Sequence, residues 1–279
     1  MYVLKYGTWN VASVEEKVIA ELIQEGFSPL TAYALSGRGL RSKEEAKALL
    51  GRDATLIDPF AMKEMDRAVA VIRHAMEEGV TIAVFGDYDV DGITATCLLT
   101  DYLRSQGVRC LTHIPGRLEE GYGLNHGAIL QLYEEGVRLI ITVDCGITAV
   151  QEARLCQELG ITLVITDHHE CKEEIPSAAA VIDPHRGDRT YPHTDLCGVG
   201  IAFKLVAALH GDQEAMARKY CDLYCLGTVA DVMPLRGENR NMVIRGLEAL
   251  RNPERLGVRA LLEVCECDNK PITDRKSVV

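Results

Sequence analysis

From residue 80 onward the sequence settles into one rhythm, in which short runs rich in β-branched residues are followed by amphipathic segments of helical period. The runs are TIAVF, RCLTHI, RLIITV and ITLVIT, and AAAVID adds a further one. After TIAVF, residues Ala95, Leu98, Leu99, Tyr102 and Leu103 fall on one helical face. RCLTHI is followed by a loop and NHGAILQLYEEG, and RLIITV by TAVQEARLCQELG. This alternation predicts an α/β fold with a parallel, doubly wound sheet covered by helices. In such a sheet, ligands collect beyond the C-terminal ends of the strands.

Residues 1–66 read as an N-terminal helical extension, with VEEKVIAELIQEG ending at Gly26 and SKEEAKALLG starting from an N-cap at Ser42 and stopping at Gly51. After the Asp58-Pro59 turn, a helix with Met65, Val69, Ile72 and Met76 on its apolar side closes at Gly79. Residues 67–268 form the domain built on the sheet, ending in three helices read from GVGIAFKLVAALH, EAMARKYCDLYCLGTVAD and NMVIRGLEALR. Residues 269–279 read as the start of an interdomain linker that is cut short.

With 279 residues, 47% of them hydrophobic, the chain can bury a substantial core. Its N-terminus lacks a basic stretch followed by an apolar one, and no apolar run approaches the roughly 20 residues of a membrane span, so the reading is cytoplasmic with no membrane partner. Of the ten cysteines, Cys97, Cys110, Cys145 and Cys156 lie in apolar patterns, where a reduced thiol packs as a small hydrophobe. Cys221 with Cys225, and Cys265 with Cys267, lack a second pair at zinc-site spacing. A net charge of -11 argues against a broad basic surface for duplex DNA. Carboxylates gathered on divalent cations would nonetheless make a local site positive enough to receive phosphate.

Three strands run directly into acids or histidines: Asp87, Asp89 and Asp91 after the first, Asp144 after RLIITV, and Asp167, His168 and His169 after ITLVIT. Packed together without a cation, these groups would repel one another and lose hydration. The D-x-D-x-D-G start is shared with calcium loops, but a calcium loop needs Glu at its twelfth position, here Leu98, and follows a helix. Helix capping accounts for one acid, not three at alternate positions. A mixed carboxylate and imidazole set suits Mn²⁺ or Mg²⁺, with histidine favouring manganese. Two such ions about 3.5–4 Å apart activate water for in-line phosphodiester hydrolysis.

GDYDVDG, TVDCG, TDHH and LGTVADVMPL, in this order, resemble the metal motifs of the DHH phosphoesterase superfamily. GDYDVDGITAT with IPGRLEEGYGLN resembles its RecJ-like branch, and the likeness covers nearly the whole chain. The resemblance implies Asp89, Asp91, Asp144, His168 and Asp231 as ligands of two ions, with Asp144 bridging and Asp87 a ligand or a close neighbouring acid. It implies His169 facing the scissile phosphate or helping the leaving oxygen, and Asp167 orienting the histidines. Asp231 rests on the resemblance alone. Tyr122 and Asn125 either contact nucleotide or form a turn in which Asn125 caps the next helix. His185 and Arg186 are weaker candidates, as is the Gly198/Gly200 pair, which either cradles phosphate or makes an ordinary helix entry.

The implied activity is a 5′-to-3′ exonuclease on single-stranded DNA, working with repair or replication proteins. A phosphodiesterase on short oligonucleotides or cyclic dinucleotides, and a non-catalytic replication scaffold, are the alternatives. RecJ-like enzymes carry further domains with a glycine-rich phosphate motif and an OB-type DNA grip. Their absence here implies a catalytic fragment that binds Mn²⁺ and cuts DNA weakly.

Overall fold

The computed structural model describes residues 12–50, 55–117, 121 and 123–267. They form two compact units divided at Ala54/Thr55. In the first, α1 (Glu16–Gln24), α2 (Pro29–Gly37) and α3 (Lys43–Leu50) bury Val18, Ile19, Leu22, Ala32, Leu35 and Ala46. Ser42 caps α3 as expected, its hydroxyl accepting the Glu45 N–H at 3.1 Å. The helix α2 was not legible from the sequence; Ser28 caps it through the Thr31 N–H, with Pro29 at its first position. Met62 and Met65, which precede α4 and open it, belong to the core of the second unit.

The second unit holds, in chain order, a 3₁₀ turn (Pro59–Ala61), α4 (Met65–Glu77), β1 (Thr81–Phe85), α5 (Val90–Ser105), β2 (Cys110–His113), α6 (His126–Glu134), β3 (Val137–Val143), α7 (Val150–Glu158), β4 (Thr162–Thr166) and β5 (Ala180–Ile182). Then come α8 (Gly198–His210), α9 (Gln213–Ala230), α10 (Gly237–Ala249) and α11 (Leu256–Val264). The last was also unread; it buries Val258 and leaves Leu256 and Val264 exposed.

All five strands pair in parallel in the order β2-β1-β3-β4-β5. The strands β1, β3, β4 and β5 are largely buried on both faces, and the two-residue period of a strand divides their side chains between two cores. Ile82, Val84, Leu139, Ile141, Val143 and Val164 pack on the side of α4, α5, α8, α9 and α10. Ala83, Phe85, Ile140, Leu163 and Ile165 pack on the side of α6 and α7. The chain winds from β1 outward to β2, then returns to β3 and continues the other way, so a crevice opens above the C-terminal ends of β1 and β3.

The β5 edge is closed by side chains. Glu64 Oε2 accepts the Val181 N–H at 2.8 Å, Arg186 Nη1 donates to the Val181 carbonyl at 2.6 Å, and the two charges pair at 3.0 Å. An edge satisfied in this way offers no ladder to another chain. Cys110, Cys145 and Cys156 are buried as expected, but Cys97 is exposed, because it lies on the outer side of α5, away from Ala95, Leu98 and Leu99. All ten thiols are free.

Candidate metal centre

Strand register builds this site. Phe85 stands opposite Thr142, and Thr142 opposite Ile165. Asp87, Asp144 and Asp167 each follow these residues by two positions and therefore share one row beyond the sheet. Ile165 in turn pairs with Val181, so Asp183 continues the row on the fourth strand.

Three sets of side chains offer ligand atoms within 4.8 Å of one another: Asp87, Asp89 and Asp144; Asp91, His168 and Asp231; and Asp144, His168 and His169. His168 Nε2 lies 3.0 Å from Asp144 Oδ1, 3.7 Å from Asp91 Oδ2 and 3.9 Å from Asp231 Oδ2. The three acids reaching one imidazole thus come from the first turn of α5, the end of β3 and the end of α9.

Each acid is held differently. Asp89 caps α5, its Oδ1 accepting the Gly92 N–H at 2.9 Å. Asp91, in the first turn of α5 and 1% exposed, points across to the start of α8, where Oδ2 accepts the Gly198 N–H at 2.5 Å and Oδ1 the Val199 N–H at 2.8 Å. The α8 N-terminus therefore holds a carboxylate of the protein itself. Gly198 is required there for space as well, since a Cβ on it would lie 2.4 Å from Asp144 Cβ. Asp144 adopts a left-handed backbone, φ 61°, unusual for a residue with a side chain and of the kind that clusters at functional sites. Asp231 follows the last turn of α9, its N–H bonded to the Gly227 carbonyl at 2.9 Å.

Asp167 serves the histidines. Its Oδ1 accepts the backbone N–H groups of His168 (2.7 Å) and His169 (3.2 Å) and lies 2.7 Å from His169 Nδ1, while Oδ2 takes the Ile147 N–H at 2.8 Å. Burial alone would push its carboxyl up, but the His169 bond and charge with the backbone donors hold it below the ordinary range. The same bond raises His169 to about 9. Asp167→Asn is expected to return the metal-free His169 towards the ordinary value near 6.5, as followed by the pH dependence of its imidazole NMR signals; an unchanged titration would remove Asp167 as the cause.

Asp87, Asp91, Asp144 and Asp231 are destabilised as anions. Burial, then the neighbouring Asp144 charge, raises Asp91 to about 8; burial, then Asp89 and Asp167, raises Asp144 to about 9. Burial also raises Asp87 and Asp231. Asp87 Oδ1 is buried with no hydrogen-bond partner among the described residues. Anions driven together at such cost, one with an orphaned oxygen, fit a hard divalent cation whose charge restores their ionised form.

Among the weaker candidates, Asn125 caps α6 through the Ala128 N–H at 2.9 Å, and Tyr122 lies outside the described residues. The Gly198 N–H is committed to Asp91 rather than to a phosphate, and Gly200 lies within α8 against Leu196 and Tyr224. Arg186 is occupied by Glu64, Asp188 and the Val181 carbonyl. His185 donates its N–H to Asp183 Oδ1 at 2.6 Å. Asp183 itself was missed. It is 3% exposed, burial raises it to about 7, and its Oδ2 has no hydrogen-bond partner among the described residues. The signal was present, since AAAVID ends in an acid as the other acid-bearing strands do. Arg117, whose guanidinium lies 5.3 Å from the centre of the Tyr88 ring, was also not singled out.

The profile of the DHH family, N-terminal domain, matches residues 81–228, just over half of the chain. The chain belongs to the DHH family. This DHH chain is 40% identical over 258 residues to the single-stranded-DNA-specific exonuclease RecJ of Bacillus subtilis (strain 168), covering 92% of the chain and 32% of that protein. RecJ from Thermus thermophilus in complex with Mn²⁺ superposes with a TM-score of 0.73 at 31% identity, over 94% of this chain and 37% of that one. The same protein in complex with Mg²⁺ gives 0.62 at 26% identity, over 94% and 33%. This DHH chain thus spans about a third of the length of these relatives. Among its described residues, no helix is long and apolar enough to cross a membrane.

Proposed function

We propose that the chain is the metal-binding catalytic part of a RecJ-type exonuclease that removes nucleotides from single-stranded DNA in the 5′-to-3′ direction. The observation carrying this reading is the convergence of Asp87, Asp89, Asp91, Asp144, His168 and Asp231 above the β1/β3 crevice, in overlapping sets of potential ligand atoms, two of which contain Asp144. Similarity to single-stranded-DNA-specific exonucleases over most of the chain supports the substrate class. Relatives crystallised with Mn²⁺ and with Mg²⁺ support a divalent cation, and the histidine supports manganese.

Asp87, Asp89 and Asp144 would hold one ion, and Asp91, His168 and Asp231 the other, with Asp144, 3.0 Å from His168, placed between them; bound there, the pair would supply activated water and neutralise charge on the phosphate. Asp167 accepts at the His169 Nδ1 and orients its ring, a placement suited to contact with a phosphate oxygen or with the departing oxygen. Arg117 adds a cation beside Tyr88, next to Asp87 in sequence, suited to a neighbouring phosphate. In this reading residues 67–268 are the catalytic domain, preceded by a helical extension and followed from 269 by a linker. The protein acts in the cytoplasm in recombination and repair, beside other repair or replication proteins. The scaffold alternative lacks support, since its mark is loss of these side chains and all of them stand.

The test is to incubate the purified chain and Mn²⁺ with 5′-labelled single-stranded DNA, duplex DNA, dinucleotides and cyclic dinucleotides. Release of nucleotides from the single strand, abolished by EDTA, is expected. Consumption of dinucleotides alone would assign the chain to the short-substrate phosphodiesterases, and no metal-dependent hydrolysis in any arm would overturn the catalytic reading.

A further inference from the structure

We propose that Asn239 is a positioning residue that fixes Asp91 and Asp231 relative to one another and so sets the affinity of one of the two cation positions. The proposal rests on the reading of Asp91, His168 and Asp231 as ligands.

Asp91 and Asp231 are 140 residues apart in the sequence and reach His168 from different elements. Asp91 is held by the N–H groups that open α8, so the loop preceding α8 determines where its carboxylate rests. Asp231 is delivered by the end of α9 and by the turn that follows. That turn is unfavourable, because Val232, a β-branched residue, sits at φ 57°. Its side chain is 74% exposed, so apolar packing of that side chain does not impose the conformation. Hydrogen bonds do so instead: Val232 N–H to the Val229 carbonyl at 3.2 Å and Met233 N–H to the Thr228 carbonyl at 3.1 Å.

Asn239, in the first turn of α10 and fully buried, ties the two segments together. Its Nδ2 donates to the carbonyl of Asp195, three residues before Gly198, and to that of Pro234, three residues after Asp231, the latter at 3.3 Å. Its Oδ1 accepts the Tyr224 hydroxyl at 2.7 Å. Both amide hydrogens and the oxygen are therefore engaged, and the two carbonyls on the nitrogen allow only one orientation of the amide.

The base of this clamp is rigid. Next to Asn239, the buried Glu238 accepts from Lys204 Nζ at 2.5 Å, from the Tyr191 hydroxyl and from the Ile57 N–H at 3.3 Å. One amide thus holds the stretch of chain behind Asp91 and the stretch of chain behind Asp231 against one fixed helix end. A group of this kind, orienting ligands without touching the ion, typically tunes metal affinity by about 10–100-fold.

Asn239→Ala and Tyr224→Phe would be compared with the unaltered chain by titrating Mn²⁺ and following free Mn²⁺ by electron paramagnetic resonance. Two classes of site are expected in the unaltered chain. Asn239→Ala should weaken one class by about 10–100-fold and affect the other, which rests on Asp87 and Asp89 as well as Asp144, much less. Tyr224→Phe should weaken the same class by less. Equal loss in both classes, or no loss, would overturn the positioning role while leaving the metal reading intact. Should circular dichroism show Asn239→Ala unfolded, Tyr224→Phe decides by the same criteria. One class or none in the unaltered chain would remove the two-ion reading and the proposal with it.

Discussion

Asp144→Asn is expected to abolish saturable Mn²⁺ binding at micromolar metal while raising the melting temperature of the metal-free chain. Asp144 is the acid common to two of the three candidate ligand sets and the one 3.0 Å from His168, so its charge serves both proposed ions. Loss of a group that merely orients a ligand costs about 10–100-fold in affinity, and loss of a shared ligand should exceed that. The gain in the metal-free form has the opposite origin. Asp144 is 2% exposed and its anion is opposed by burial and by the surrounding carboxylates. Asparagine keeps its shape beside Gly198, accepts the left-handed backbone at φ 61°, and carries no charge. A gain of about 1 kcal/mol would lift Tm by roughly 2–4 °C in a chain of this size. Thermal melts in EDTA and in Mn²⁺ check both halves; a variant stabilised by Mn²⁺ as much as the unaltered chain would remove Asp144 from the centre.

The metal-free chain should lose stability steadily from about pH 5 to pH 9, and Mn²⁺ should counter the loss increasingly over that range. Asp91, at about 8, and Asp144, at about 9, hold protons in the fold that the unfolded chain releases near its ordinary value of about 4. Between these limits the folded state binds more protons, so stability falls as pH rises. Asp183, at about 7, acts in the same sense. His169 does too: its raised value contributes stability that is full below about 6.5 and lost on rising through about 9. Asp167, held low, opposes them only at acid pH, contributing stability above about 4 that is lost as pH falls through its folded value. Ligating carboxylates must be ionised, so metal binding strengthens as pH rises and the increment in Tm due to Mn²⁺ grows with it. Metal-free melting temperatures that were flat or rising between pH 5 and pH 9 would contradict this account.

Much of the candidate site could be read along the chain because most of its acids and both histidines sit where strands end. GDYDVDG, TVDCG and TDHH each follow a β-rich run directly, and a parallel sheet brings such ends to one side. Asp183 escaped notice for a reason of scale, since β5 has only three residues and its acid is followed by proline, which reads as a turn. Asp231 had no local signal of its own, because one acid after a helix is an ordinary terminus. Asn239 lies just before one of the helical stretches read from sequence without belonging to any motif, since its partners at Asp195, Tyr224 and Pro234 meet only through the packing of α8, α9 and α10.

The sequence by itself determined the class of fold and the end of the sheet at which acids and histidines gather, because periodicity and residue type act locally and survive in one dimension. Tertiary structure alone decided that β1, β3 and β4 are neighbours in register, so that Asp87, Asp144 and Asp167 form one row. It alone decided that Asp91 turns away from its own loop to the start of α8, where two N–H groups fix it against His168. Those outcomes depend on strand order and on helices crossing at close range, and the energies that select them arise between segments far apart in the chain.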